Sequence, residues 1–239
     1  MDISHLYIPR PQLSVDEDQA QILKTFKEVV EKGKTGVKLL NYYQGLPLFF
    51  PAQIVEVDHG MLDLDIHPQQ AVAIERDRYT FIRSDAFPHD IGAHVQYINV
   101  SRRTVTLSRL FFVDIMADHR QALRLKLAPP TDAAFDLNGE KVGGQLYDLS
   151  MGGAAISVDR LPECTDGFET KLQFLIPNII QNTHTIVHVP AQHVGTTEQG
   201  ECHICKFSIT PDKTVEQLIS QYIFQRQVEI IRFLKDEAI

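Results

Sequence analysis

Two arginines stand four residues apart in the segment HRQALRL, residues His119 to Leu125. A guanidinium group is planar and always charged, and it donates paired hydrogen bonds to an anion or to two neighbouring acceptor atoms. On a helix, Arg120 and Arg124 would share one face, where such a pair is commonly a solvated stripe or a salt-bridge partner. The pair alone therefore does not distinguish a ligand site from ordinary surface.

A second polar group follows in DLSMGG, residues Asp148 to Gly153, between one predicted strand and the next. The carboxylate of Asp148 can accept hydrogen bonds from paired N–H donors, and the Ser150 hydroxyl adds a small polar contact. Gly153 allows a ligand to approach the backbone closely, and Gly152 can help because it also lacks a side chain.

Short runs with β-sheet character, separated by turn signals, make up most of the chain and predict a mainly β fold. The runs of the first half are GVKLLNYY, LFFPAQIVEV, MLDLDI, AVAIE, YTFIRS, AHVQYINV and TVTLSRLFFV. The runs of the second half are LRLKL, GGQLYDLS, GAAISV, TKLQFLIP, TIVHVPAQHVG and CHICKFSI. Six strands can close a small barrel, so the second half is predicted to be a six-stranded barrel.

Helices are predicted at the two ends of the chain. Ser14 and Glu17 have the spacing of a capping box, and apolar residues then recur at helical intervals until Gly33. After Pro211 the apolar period becomes 3.6, which predicts a long helix over residues 215–234. Its apolar stripe is expected to cover its own barrel or to form a homodimer. Between these ends, a polar, charged stretch near residue 117 interrupts the succession of strand-like runs. We therefore predict one domain at 1–117 and a second at 118–239.

The bulk composition is that of an ordinary folded protein, with 44% hydrophobic residues, 23% charged residues and a net charge of −8. Such acidity argues against binding a nucleic-acid polymer, which requires many cationic contacts to phosphates. No apolar run reaches about 18 residues, and the N-terminus lacks the pattern of a secretory signal. We therefore expect a cytoplasmic protein without membrane insertion, in which the three cysteines form no structural disulfides.

The spacing R-x-x-x-R, followed by D-x-S-x-x-G at the rim of a predicted barrel, resembles the PilZ domain, a receptor for the bacterial second messenger cyclic di-GMP. A β-rich domain directly before a PilZ domain is similar to the flagellar-brake proteins, whose first domain is a split barrel. We expect no enzymatic activity, because neither a nucleophile with a base nor a poised acid–base pair is evident in the sequence, and we expect no cofactor beyond the ligand. The resemblance implies a set of ligand-binding residues, namely His119, Arg120, Gln121, Arg124, Asp148, Ser150, Gly152 and Gly153.

The matched residue types suit guanine. Its O6 and N7 atoms accept two parallel hydrogen bonds from one arginine, and its N1–H and N2–H groups donate to a carboxylate such as Asp148. Each bidentate or stacking contact contributes about 1 to 3 kcal/mol. Two guanines, each contacted twice, approach the roughly 8 kcal/mol of a micromolar complex. In this family, the residue at the position of His119 helps to decide whether one ligand or a stacked pair is bound.

The resemblance also implies a mechanism, in which the ligand binds at the junction of the domains and reorients them. The expected partner is a flagellar motor protein, with recruitment to the flagellar basal body. The alternative is a cyclic di-GMP-responsive adaptor for polysaccharide production, biofilm formation or virulence. A flavin-binding split-barrel enzyme is a further alternative, because flavin reductases use split barrels, although no phosphate-cradling glycine loop is evident.

Two other groups of residues have spacings found in metal or redox sites. Cys202 and Cys205 form a C-x-x-C pair, but on a strand residues three apart point to opposite faces. His184 and His188 would share one face of a strand, where solvent exposure explains them and no acidic neighbours complete a metal site. We therefore predict no metal site.

Overall fold

The computed structural model describes residues 6–238, and the prediction about a secretory signal falls partly on residues 1–5, outside that range. The described chain is mainly β, with two sheets and three helices, as the sequence predicted. Among these residues no helix combines the length and the apolar character that crossing a bilayer requires. The strands are β1 (Tyr7–Pro9), β2 (Gly36–Tyr43), β3 (Leu46–Asp58), β4 (Met61–Asp65), β5 (Tyr79–Arg83), β6 (Asp90–Asn99), β7 (Thr104–Ile115), β8 (Leu125–Leu137), β9 (Glu140–Ser150), β10 (Gly153–Val158), β11 (Glu169–Asn178), β12 (Thr183–Gln199) and β13 (Cys202–Ile209).

The first seven strands form one sheet in the order β1-β7-β4-β3-β2-β5-β6. Strand β7 pairs with β6 as well as with β4, so six of the strands form a ring and β1 is attached to it through β7. Helix α1 (Val15–Glu31) contributes the fully buried side chains of Ile22 and Phe26 to the core of this sheet. The capping box predicted for α1 is present, with Ser14 and Glu17 bonded reciprocally.

The last six strands form a closed barrel in the order β10-β13-β12-β11-β8-β9. Each of the six runs predicted in this half corresponds to one of these strands, so the six-stranded barrel is confirmed. The alternating burial along β12 shows the expected pattern, in which Val187 and Val189 face the core and His188 faces solvent. The predicted terminal helix is also confirmed as α3 (Lys213–Asp236).

One prediction for the first half is wrong: AVAIE is helical and not a strand. It lies in helix α2 (Pro68–Asp77), in which Gln70 to Ile74 are all buried. Because burial on every side removes the alternation of polar and apolar residues, the run carries no period that separates a buried helix from a strand. The helix begins with His67 as its N-cap and Pro68 in its first turn, and Arg78 ends it in the left-handed conformation. These are common start and stop signals.

His67 caps α2 through its Nδ1 atom, which accepts a hydrogen bond from the backbone N–H of Gln69 at 3.3 Å. Its ring stacks on Phe50, with 3.9 Å between the centroids. Burial lowers the pKa of His67, and the positive charge of Arg103 lowers it further. Protonation removes the acceptor and places a cation at a helix N-terminus, where it is unfavourable.

The lowered pKa of His67 predicts that the protein loses stability when the pH falls. A histidine with a lower pKa in the folded state stabilises the fold above its unfolded pKa of about 6.5, and this contribution is lost below it. We expect the melting temperature to fall as the pH is lowered from about 7 to about 5. The His67→Asn variant should show a smaller fall, because asparagine caps a helix without titrating. Equal falls in both proteins would contradict this account.

The chain divides into two compact units. Of the described residues, the first unit comprises those up to Tyr43, Pro47–Arg120 and those from Ile231 onwards, and the second comprises Gln44–Leu46 and Gln121–Ile230. The domain limits 1–117 and 118–239 stay a prediction.

Candidate functional site

The segment that carries the two arginines is neither helix nor strand. A 3-10 helix, Met116–His119, ends directly before Arg120, whose backbone is extended, and β8 begins directly after Arg124. The two arginines therefore do not share a helix face. The division of the chain falls between them, since Arg120 belongs to the first unit and Arg124 to the second.

In the second unit, four of the predicted site residues lie together at one end of β9 and β10. The Nε atom of Arg124 is 3.7 Å from Oδ1 of Asp148. The Ser150 hydroxyl donates to the carbonyl oxygen of Gly153 at 3.1 Å. A Cβ atom at Gly153 would lie 3.3 Å from an Nη atom of Arg124 and 3.4 Å from Oγ of Ser150. Arg124, Asp148, Ser150 and Gly153 therefore form one cluster, although they are distant in sequence.

The local backbone explains this convergence. Strand β9 ends at Ser150 and β10 begins at Gly153, and these two residues pair in the ladder, so Met151 and Gly152 form a tight turn. The turn presents the Ser150 hydroxyl beside the strand end. A side chain at Gly153 would press on the carbonyl oxygen of Phe207 at 3.2 Å as well as on Arg124. Gly152 has open space around it, so packing does not require glycine there.

The cluster combines a partly exposed cation with a mostly buried carboxylate. The side chain of Arg124 is 33% exposed and that of Asp148 is 13% exposed. Ser150 is buried. A charge pair at this depth is less screened by salt than a surface pair and holds its groups in a defined geometry. The cluster can therefore donate hydrogen bonds to a small ligand from the guanidinium of Arg124. It can also accept hydrogen bonds from the same ligand at the carboxylate of Asp148.

Sequence reasoning missed a turn that contacts Arg124. Strands β2 and β3 are joined by Gln44 and Gly45, whose φ values are both positive, at 52° and 89°. This is the two-residue hairpin loop that favours glycine. A Cβ atom at Gly45 would lie only 2.1 Å from the carbonyl oxygen of Arg124, and the backbone N–H of Lys126 donates to the carbonyl of Gln44. The dipeptide Q-G between two β runs could have indicated the turn, but not its contact.

The same turn is also fixed from α3. Arg226 is buried and donates to the Gln44 side chain through one Nη atom and to Glu229 through the other. All three residues belong to the second unit. A buried arginine with two hydrogen-bonded partners is a rigid support. The backbone of Arg124 is therefore held by a glycine turn that is itself anchored to a helix.

In the first unit, His119 and its neighbour Asp118 are held by a network of charged groups. The Nε2 atom of His119 is 3.2 Å from Oδ1 of Asp114. Asp118 accepts a hydrogen bond from the Tyr42 hydroxyl at 2.5 Å and another from Arg83 at 2.6 Å. Arg83 also forms a bidentate pair with Asp90. This network fixes the 3-10 helix that immediately precedes Arg120.

Burial and several charged neighbours shift the pKa of Tyr42, not all of them in the same direction. Burial raises the pKa of Tyr42 above its usual value, and the bond to Asp118 raises it further. The positive charge of Arg120 acts in the opposite direction, so this guanidinium lies within electrostatic reach of the phenol. Gln121, the next predicted site residue, is exposed and belongs to the second unit. The predicted ligand set is thus distributed over both units.

The alternative cysteine and histidine sites gain no support. Cys205 is buried and Cys202 is half-buried on β13, and both are free thiols. Burial raises the pKa of the Cys205 thiol, which disfavours the thiolate that binds metals. His184 and His188 are exposed on β12. Within residues 6–238, no group of three or more potential metal ligands is present.

Solved structures with a similar backbone fold have low sequence identity to this chain. YcgR from Escherichia coli in complex with c-di-GMP is 15% identical, with each chain covered to 100% and a TM-score of 0.45. The inhibitor of motility from Bacillus subtilis (MotI/DgrA) is 13% identical over 82% of this chain and 97% of that chain, with a TM-score of 0.42. The K. pneumonia MrkH–c-di-GMP complex is 14% identical over 90% and 96%, with a TM-score of 0.44. These similarities are too weak to support an argument about function.

The sequence comparisons are more specific. No curated protein sequence matches the chain. The family model of the PilZ domain matches residues 118–225, which include both the R-x-x-x-R and the D-x-S-x-x-G residues. The six strands of the closed barrel lie within the same range. Residues 118–225 of this chain are therefore a PilZ domain.

Proposed function

We propose that the protein is a non-enzymatic receptor for cyclic di-GMP. The observation that carries the proposal is the cluster of Arg124, Asp148, Ser150 and Gly153 at one end of the barrel, within a PilZ domain. The cluster combines the guanidinium of Arg124 as a forked donor, the carboxylate of Asp148 as an acceptor, and Gly153, where no side chain blocks approach to the backbone. These are the groups that the edges of a guanine base require.

In the proposed complex, Arg124 donates to O6 and N7 of a guanine while Asp148 accepts from N1–H and N2–H of a guanine. The distance of 3.7 Å between Nε of Arg124 and Oδ1 of Asp148 supports contact of both groups with one ligand. The turn at Met151 and Gly152, followed by Gly153, lets the ligand lie close to the backbone beside Ser150. Because the protein is acidic overall, affinity must come from this local arrangement and not from a general attraction of anions.

Calorimetric titration with cyclic di-GMP tests the proposal, and Asp148→Asn is the most informative variant. Asparagine keeps the size of the side chain but replaces one of the two acceptor oxygens with an NH2 donor, so it cannot accept from two N–H donors through two oxygens. We expect binding by the unchanged protein and at least about fivefold weaker binding by Asp148→Asn, since one bidentate base contact is worth about 1 to 3 kcal/mol. Titration with cyclic di-AMP is the control for base recognition. Absence of binding by the unchanged protein would overturn the receptor proposal.

We further propose that His119 and Arg120 join the bound ligand, so that binding changes the arrangement of the two units. They are only a few residues before Arg124 in sequence but belong to the other unit. A ligand can shift such an equilibrium only by its difference in affinity between the two arrangements. Small-angle X-ray scattering with and without ligand is the test. Identical scattering curves at saturating ligand would contradict a ligand-driven rearrangement.

The proposed biological output is regulation of flagellar motility through a motor protein, by resemblance to flagellar-brake proteins. The alternative output is control of polysaccharide production, biofilm formation or virulence through an adaptor role. A deletion strain with raised cyclic di-GMP separates the two in a swimming assay. Faster swimming of the deletion strain supports the motor, and unchanged swimming favours the alternative.

A further inference from the structure

A β-bulge places Tyr147 on the outer surface of the barrel beside Asp148. In the pairing of β9 with β10, Asp148 faces Ala155 and Leu146 faces Ile156, so Tyr147 is an extra residue without a partner on β10. Both Tyr147 and Asp148 are partly exposed, whereas Leu146 and Leu149 on either side are fully buried. Bulges reorient side chains in this way. Two consecutive residues therefore face outwards where regular alternation would allow one.

Lys126 lies on the same outer surface, directly opposite Asp148. It pairs with Asp148 in the ladder between β8 and β9. Its neighbours Leu125 and Leu127 are buried, so alternation along the strand turns the Lys126 side chain outwards. The Nζ atom lies 5.2 Å from the centroid of the Tyr147 ring, within the range of a cation–π interaction. The aromatic ring thus contacts the ammonium group, and Tyr147 directly precedes Asp148 of the cluster.

Two cations flank Asp148. The Nε atom of Arg124 is 3.7 Å from Oδ1 of Asp148, and Lys126 lies opposite Asp148 in the ladder. The net charge of the chain is −8, so this pair of cations differs from the chain as a whole. An anion that binds beside Asp148 is attracted by both cations. Cyclic di-GMP carries two phosphates in addition to the guanines that Arg124 and Asp148 recognise.

From these contacts we infer that Lys126 binds a phosphate of cyclic di-GMP and that Tyr147 is its positioning residue. The inference rests on the proposed receptor function and adds two residues outside the R-x-x-x-R and D-x-S-x-x-G patterns. Arg124 and Asp148 bind the guanine base, and Lys126 contributes a point charge that suits a phosphate. If Lys126 only neutralises Asp148, its loss changes stability and leaves the ligand affinity unchanged.

The test compares Lys126→Gln, Lys126→Arg and Tyr147→Leu by calorimetry with cyclic di-GMP. We expect about tenfold weaker binding by Lys126→Gln, because a charge-assisted hydrogen bond is worth roughly that factor. Lys126→Arg should restore most of the affinity. Tyr147→Leu should lose part of it, because the ammonium group is no longer held in place. Lys141→Gln is the matched control, because Lys141 is an exposed lysine on β9 that donates to Gln173.

Salt dependence distinguishes a phosphate contact from a structural role. The difference between the unchanged protein and Lys126→Gln should shrink from about 50 mM to about 500 mM NaCl, because salt screens charges that are partly exposed. An affinity of Lys126→Gln equal to that of the unchanged protein would overturn the inference, as would a loss independent of salt. Failure of the unchanged protein to bind would instead overturn the receptor proposal, so the two failures are distinguishable.

Discussion

The Arg124→Ala variant is expected to bind cyclic di-GMP at least about 30-fold more weakly than the unchanged protein. Removal of one member of a partly buried charge pair at a binding site costs about 2 to 5 kcal/mol, and about 2 kcal/mol corresponds to that factor. The variant loses the forked donor and leaves the carboxylate of Asp148, which is only 13% exposed, without this partner. Calorimetry gives the affinity, and circular dichroism checks that the fold is retained.

Two further variants make the result interpretable. Arg124→Lys keeps the charge but not the planar fork, so it should recover only a minor part of the affinity. Arg160→Ala removes an exposed arginine just beyond the other end of β10 and should bind like the unchanged protein. Normal binding by Arg124→Ala would show that the cluster does not hold the ligand. Equal losses in Arg124→Ala and Arg160→Ala would indicate general attraction of an anion.

The Gly45→Ala variant is expected to lose both stability and ligand affinity, although Gly45 lies far from the PilZ motifs in sequence. Its φ of 89° costs an alanine about 1 to 2 kcal/mol. In addition, the new Cβ would lie 2.1 Å from the carbonyl oxygen of Arg124, so the backbone of one of the two segments must move. Because Arg124 is displaced, the base contact weakens. Denaturant unfolding and calorimetry measure the two effects.

Gly139→Ala is the matched control for this experiment. Gly139 has a φ of 88° in the turn between β8 and β9, and a Cβ there would meet nothing within 4 Å. The backbone cost is therefore the same in both variants, while the collision is present only at Gly45. Gly139→Ala should lose stability without losing ligand affinity. If the two variants behave alike, the close approach to Arg124 has no role in positioning it.

Most strands and the two terminal helices were predicted correctly because their signals are local. Alternation identified strands such as β12, and the capping box at Ser14 identified the start of α1. Helix α2 was not predicted as a helix, because its five consecutive buried residues show no alternation of polar and apolar side chains. The short strand β1, Tyr7–Pro9, was also missed, since three residues carry too little pattern. The failures are therefore places where burial or length removed the periodic signal.

By itself, the sequence determined the residue types of the candidate site and the β character of both halves. Side-chain chemistry is a property of each residue, and strand periodicity depends only on near neighbours. Tertiary structure alone decided that Arg124 meets Asp148, that Lys126 lies opposite Asp148 and that a bulge turns Tyr147 outwards. Strand register and barrel closure set these contacts, and both depend on pairing between distant segments. The approach of Gly45 to Arg124 has the same origin.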